Sequence, residues 1–103
     1  MIRAVFRERA DALVGFEIRG HAGYAEAGRD IVCAAVSSAA YLTANCVTDT
    51  FGVRADANEA NGVLTLTLRE DSDIASGLIK GLRAHLEALA EQYPDCIKII
   101  TEV

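Results

Sequence analysis

The stretch Ile31-Val32-Cys33-Ala34-Ala35-Val36-Ser37-Ser38-Ala39-Ala40-Tyr41-Leu42-Thr43-Ala44-Asn45-Cys46-Val47-Thr48 carries no charged side chain. Whether it crosses a membrane or lies in a protein core decides the fold. Its length approaches that of a short membrane span. Yet Ser37, Ser38, Thr43, Asn45 and Thr48 punctuate it, while Val32, Val36, Ala39, Ala40 and Thr43 recur at helical spacing. That pattern reads as a core or interface helix from Ile31 to about Thr50. Asp30 supplies a carboxylate N-cap, and Gly52 supplies the stop.

Outward toward the amino terminus, Gly20-His21-Ala22-Gly23-Tyr24-Ala25-Glu26-Ala27-Gly28-Arg29 holds three glycines in ten residues. That density predicts a functional loop rather than a regular element. Before it, Val14, Phe16 and Ile18 alternate with Gly15, Glu17 and Arg19, and Ile2, Ala4 and Phe6 alternate with Arg3, Val5 and Arg7. Both read as half-buried strands joined at Arg9-Ala10-Asp11 as a hairpin. Outward toward the carboxyl terminus, a weak strand near residues 53–58 leads to Glu59-Ala60-Asn61-Gly62, which carries the Asn-Gly hairpin signal. Leu64, Leu66 and Leu68 then alternate with Thr65, Thr67 and Arg69. A second helix is predicted over residues 73–92, stopped by Pro94, with Ile74, Leu78, Leu82, His85 and Leu89 along its apolar stripe. Residues 97–103 close as a strand. The order is ββαββαβ, an α+β two-layer sandwich with two helices on one face of a sheet.

The chain has 103 residues, 51% of them hydrophobic, and a formal net charge of −5. That is room for one domain spanning residues 1–103, and pairing with a second copy would help so small a core. The acidity argues against binding nucleic acid through phosphate neutralisation, though it would attract a basic protein. Cysteines at 33, 46 and 96 form an odd, widely spaced set with no Cys-x-x-Cys, so neither a zinc knuckle nor a disulfide framework is expected. No apolar core of a signal peptide opens the chain. A cytoplasmic setting without membrane attachment is the expectation.

Cys33 falls three positions after the expected N-cap, in the first helical turn. There the helix dipole would favour a thiolate, the nucleophilic form, and free amides could hold an oxyanion. His21, directly after the second strand, could return a proton to a leaving amine. Asp30 could orient His21, and Ser37 lies one turn beyond Cys33 on the same helical face. Each residue also has a plain reading: a buried small cysteine, a loop histidine, a cap, a surface serine. Tyr24 could line a substrate groove or close the loop. Cys46 and Cys96 read as structural, and His85 as packed. Composition and spacing leave a His–Cys enzyme as one candidate beside a protein-binding module, a thiol redox sensor that oxidises Cys33, and a metal site built from His21, Asp30 and Cys33, for which no paired ligand spacing exists.

The run Gly20-His21-Ala22-Gly23-Tyr24-Ala25-Glu26, followed by Gly28-Arg29-Asp30-Ile31-Val32-Cys33-Ala34-Ala35-Val36-Ser37, closely resembles the ribosomal-processing cysteine proteases, the Prp family. The likeness extends over essentially the whole chain, including the Gln92-Tyr93-Pro94 helix end. It implies that His21 and Cys33 are the catalytic pair and that Asp30 and Ser37 support them. Gly20, Gly23, Tyr24 and Gly28 would then belong to a substrate-binding loop. It further implies a homodimer, no metal or organic cofactor, and a substrate that is the precursor of bacterial large-subunit ribosomal protein twenty-seven, from which an amino-terminal extension is removed. Ala27 is smaller than the residue expected there, and Cys46 belongs to no motif of the family.

Overall fold

The computed structural model describes residues 1–20 and 27–103, with residues 27–30 described by their backbone alone. Five strands form one sheet in the order β3-β4-β2-β1-β5. These are β1 (Ile2–Arg9), β2 (Ala12–Arg19), β3 (Ala55–Ala60), β4 (Val63–Leu68) and β5 (Ile97–Glu102). Helix α1 (Ala27–Asn45) runs into a π-helical turn over Cys46–Thr50, and α2 is Asp73–Gln92. The expected ββαββαβ order and α+β class hold.

Two tight hairpins set the register. Ala10 and Asp11 take φ of 52° and 66°, and Asn61 and Gly62 take 55° and 78°. Paired left-handed residues make the turn whose twist matches that of flanking strands. β1 pairs antiparallel with β2 so that Phe6 faces Phe16 and Ala4 faces Ile18. β2 pairs with β4 so that Phe16 faces Leu66, and β5 runs parallel to β1 with Ile97 beside Ile2. Ile2, Ala4, Phe6, Phe16, Ile18 and Leu66 are thereby all buried on the face that the helices cover. The opposite face carries Arg3, Arg7, Glu17, Thr65 and Lys98, as alternation requires. The edge strand β3 (Ala55–Ala60) is exposed along nearly its whole length and carries Asp56, Asn58 and Glu59, which suits an edge with unpaired backbone groups.

One register detail departs from the simple alternation expected of β2. Pairing steps from Arg7↔Gly15 to Glu8↔Leu13, so Val14 is an extra residue, a bulge. The bulge turns Leu13 into the core at 0% exposure and leaves Val14 half-buried. Leu13 N–H then donates to Ser76 Oγ of α2 at 3.0 Å.

Helix α1 presents Val32, Val36, Ala40, Thr43 and Ala44 as its buried face, and Val47 of the π-helical turn continues it. By length and composition residues 31–50 could cross a membrane; a third of that window is buried, and that third is this core stripe. The small residues Ala40 and Ala44 are buried within this stripe, at 0% and 5% exposure. Gly52, at φ 62°, supplies the left-handed stop. The helix begins at Ala27, however, so the expected N-cap Asp30 lies inside it. Gly28 and Arg29, expected in the loop, are helical too; neither a proline nor a β-branched residue between Ala27 and Asp30 opposes that extension.

Helix α2 matches its expected bounds. Ser72 caps it by accepting from Ala75 N–H at 3.1 Å. Its buried stripe is Ala75, Ser76, Ile79, Leu82 and Leu86, rotated from the expected one. Ile74 is 55% exposed and His85 is exposed rather than packed. The small residues Ala75 and Ser76 turn inward, bringing α2 close to β2, and the larger apolar residues beside them are left at the margin.

Candidate active site

The stripe beside the buried face of α1 carries Cys33, Ser37 and Tyr41 at intervals of four, one above another on the helix. All three line a cleft of about 160 Å³ between α1 and the sheet. Its floor is apolar, from Ile2, Ile18, Val36 and Leu64, and its far wall includes Gly20, Glu59 and Gly62. These strand residues lie where β2 ends, β3 ends and β4 begins, so the cleft occupies one end of the sheet. Cys33 is partly buried and packed against the core, whereas Ser37 is exposed. The two sequence-derived residues Cys33 and Ser37 are thus brought together at one cleft, as helical spacing requires.

Gly20 also belongs to this cleft. It sits at φ 90°, and a Cβ there would stand 2.6 Å from the backbone oxygen of Met1. Only glycine fits both the dihedral and the close approach. The chain leaves the described residues at Gly20 and re-enters them at Ala27, within α1. His21, Gly23 and Tyr24 lie outside the described residues, as does the side chain of Asp30.

The early start of α1 changes the electrostatic setting expected for Cys33. It is the seventh residue of the helix rather than one of the first. Its N–H is therefore committed to the intrahelical ladder, and the helix dipole acts mainly over the first turn. The expectation that helix-start amides activate this thiol and hold an oxyanion is corrected accordingly. A stretch of Ala-Gly-Arg-Asp is compatible with either loop or helix, and no local signal distinguishes them.

Two cleft residues escaped the sequence reading. Tyr41 O–H, on α1, donates to Glu59 Oε2, on β3. This hydrogen bond holds the Tyr41 phenol above its ordinary pKa, because a donor to a carboxylate resists losing its proton; the charge of Glu59 acts in the same direction. Arg19, on the same rim, is engaged elsewhere: its Nη2 lies 2.8 Å from Glu17 Oε2. No local pattern signals the Tyr41–Glu59 contact, since its partners are 18 residues apart on different elements.

The remaining cysteines sit away from this cleft. Cys96 is fully buried. Cys46 lines a shallow apolar groove between α1 and α2, with Leu42, Leu78 and His85. Among the described residues, which include every cysteine, there is no disulfide, and no cluster of three metal-ligating side chains occurs.

A mixed sheet covered on one face by two helices, with a helix-borne thiol opening into a cleft at the strand ends, has the arrangement of an α+β thiol enzyme. Comparison with known proteins narrows that class. Residues 1–98 match the family of the cysteine protease Prp. The chain is 32% identical to the ribosomal processing cysteine protease Prp of Bacillus subtilis, over 100% of this chain and 99% of that protein. The chain belongs to the Prp family and is a cysteine-type peptidase. A Streptococcus mutans protein of known crystal structure is similar at 31% identity and a TM-score of 0.79, covering 99% of this chain and 96% of that one. The fold also matches that of the essential ribosomal processing protease Prp from S. aureus in complex with a covalently linked product peptide. There the TM-score is 0.89 at 23% identity, with 99% and 100% of the two chains covered.

Proposed function

We propose that this chain, acting as one domain over residues 1–103, removes the amino-terminal extension of large-subunit ribosomal protein twenty-seven, with Cys33 as nucleophile and His21 as its acid–base partner. The observation that carries the reading is the placement of Cys33 at a cleft between α1 and the sheet, on the stripe that continues through Ser37 and Tyr41. Its similarity over full length to a ribosomal processing protease supports the substrate class.

In this mechanism the Cys33 thiolate attacks the scissile carbonyl carbon, forming a C–S bond and a tetrahedral oxyanion. Collapse of that intermediate breaks the C–N bond, and the imidazolium of His21 gives its proton to the departing amine. Water, deprotonated by the now neutral His21, attacks the thioester, and Cys33 leaves as thiolate. With Cys33 beyond the first turn of α1, thiolate formation rests on pairing with His21. Ser37, one turn from Cys33, donates its hydroxyl to the substrate or the oxyanion, and Asp30 orients His21. Gly20, Gly23, Tyr24 and Gly28 contribute to substrate binding. The chemistry requires neither metal nor organic cofactor.

The same reading places the protein in the cytoplasm, where its substrate is made, and pairs it with a second copy as a homodimer. The surface available for pairing is the uncharged outer side of α1, where Leu42 is 66% exposed.

The test is cleavage of a peptide spanning the extension, under reducing conditions, by wild type, Cys33→Ala and His21→Ala. Cleavage by wild type alone is expected. An intact peptide with the wild-type protein contradicts the substrate assignment, and cleavage surviving Cys33→Ala contradicts the assigned nucleophile.

A further inference from the structure

We propose that Glu59 is a specificity-determining residue that reads a positively charged substrate residue about four positions from the scissile bond, with Tyr41 positioning its carboxylate. The proposal rests on the cleft described above being the peptide-binding cleft.

Three observations carry it. Glu59 is a cleft-lining carboxylate that the register places on the helix-covered side of β3, opposite Leu64. The other charged residue lining the cleft among those described, Arg19, is paired with Glu17 at 2.8 Å. Alternation along β2 carries both of these toward the open face of the sheet. Among the described residues, the cleft therefore presents an unpaired negative charge from Glu59 above a floor that is otherwise apolar.

Geometry fixes the position that would be read. Tyr41 stands eight residues beyond Cys33 on α1, a rise of about 12 Å at 1.5 Å per residue. An extended peptide laid in the cleft alongside α1 advances roughly 3.3 Å per residue, so in that pose its fourth residue from the attacked carbonyl comes level with Tyr41 and Glu59. The phenol occupies one lobe of the carboxylate and fixes its direction, leaving the other oxygen for a substrate ammonium or guanidinium. Since the pair is exposed, each charge contact is modest and sensitive to salt.

The experiment is a set of peptides based on the cleaved parent, with Lys, Gln or Glu placed in turn at each of five positions on both sides of the scissile bond. kcat/KM is measured for wild type, Glu59→Gln, Glu59→Lys and Tyr41→Phe, with Cys33→Ala as the blank. Wild type should prefer Lys over Glu by about fivefold at one position roughly four residues away, because attraction and repulsion both contribute there. The ratio should fall below twofold in Glu59→Gln and invert in Glu59→Lys. In Tyr41→Phe it should fall partway with the melting temperature unchanged, which a purely structural role would not produce. Cys33-dependent cleavage with no charge preference at any position overturns this proposal alone, as does a preference that survives in Glu59→Gln. Failure of wild type to cleave any peptide overturns it together with the protease assignment beneath it.

Discussion

Replacing Ser76 by alanine removes one oxygen from the fold and leaves a buried backbone group without its partner. The bulge at Val14 turns Leu13 inward, where its N–H donates to Ser76 Oγ at 3.0 Å. Leu13 is 0% exposed and Ser76 6% exposed. Without the hydroxyl, a buried donor is left unpaired, at a cost of about 1–3 kcal/mol. Alanine is a better helix former than serine, by about 0.5 kcal/mol, so roughly 0.5–2.5 kcal/mol of net destabilisation should remain. At about 4–8 °C per kcal/mol for a domain near this size, the melting temperature should fall by roughly 2–20 °C. Urea unfolding followed by circular dichroism is the assay, with an unchanged m-value showing that only the native state is affected. Ser38→Ala, at an exposed position on α1, should change stability by less than about 0.5 kcal/mol. A depression beside the bulge is lined by both Leu13 and Ser76. If Ser76→Ala is as stable as wild type, water from that depression reaches the Leu13 N–H, and the reasoning fails.

Two further outcomes follow from the cleft and from α1. Donation to Glu59 raises the Tyr41 phenol above its ordinary pKa, so the contact is intact below the ordinary phenol range and lost as pH rises through the raised value; the pair is exposed, and its loss leaves the stability of the fold nearly unchanged. Absorbance titration of wild type minus Tyr41→Phe should show a phenol ionising above its ordinary pKa, and Glu59→Gln should lower it; an unshifted phenol contradicts the contact. Leu42→Glu, on the exposed outer side of α1, should convert a dimer to monomer in sedimentation velocity, and a variant that still sediments as a dimer places the interface elsewhere.

Local chemistry made much of this fold readable. The bounds of α2 followed from Pro94 and an apolar stripe, and both hairpins followed from short links able to adopt left-handed dihedrals. The cleft was half visible, because Cys33 and Ser37 share a helical face whatever the exact start of α1. The start itself was not readable: Asp30 serves equally as a cap or as an early helical residue, and Ala27-Gly28-Arg29 opposes neither. Phe16 and Ile18 face the core as alternation predicts, but Leu13 does so in place of Val14 because of the bulge, which leaves no signature in residue type. The exposure of His85 depended on how α2 rotates to bring Ala75 and Ser76 against β2. The Tyr41–Glu59 contact joins a helix to an edge strand and exists only once the chain is folded. The family resemblance pointed to Cys33 without any of these details, since it rests on the run from Gly20 to Ser37.

The central claim is that Cys33, rather than Cys46 or Cys96, is the nucleophile of this peptidase. A chloromethyl ketone carrying the substrate sequence up to the cleavage point tests it most directly, read by intact mass and by mapping of the modified residue. One equivalent on Cys33, lost in His21→Ala, is the expected result. Modification of Cys46 at the same rate, or none at Cys33 while the enzyme still cleaves peptide, would contradict it.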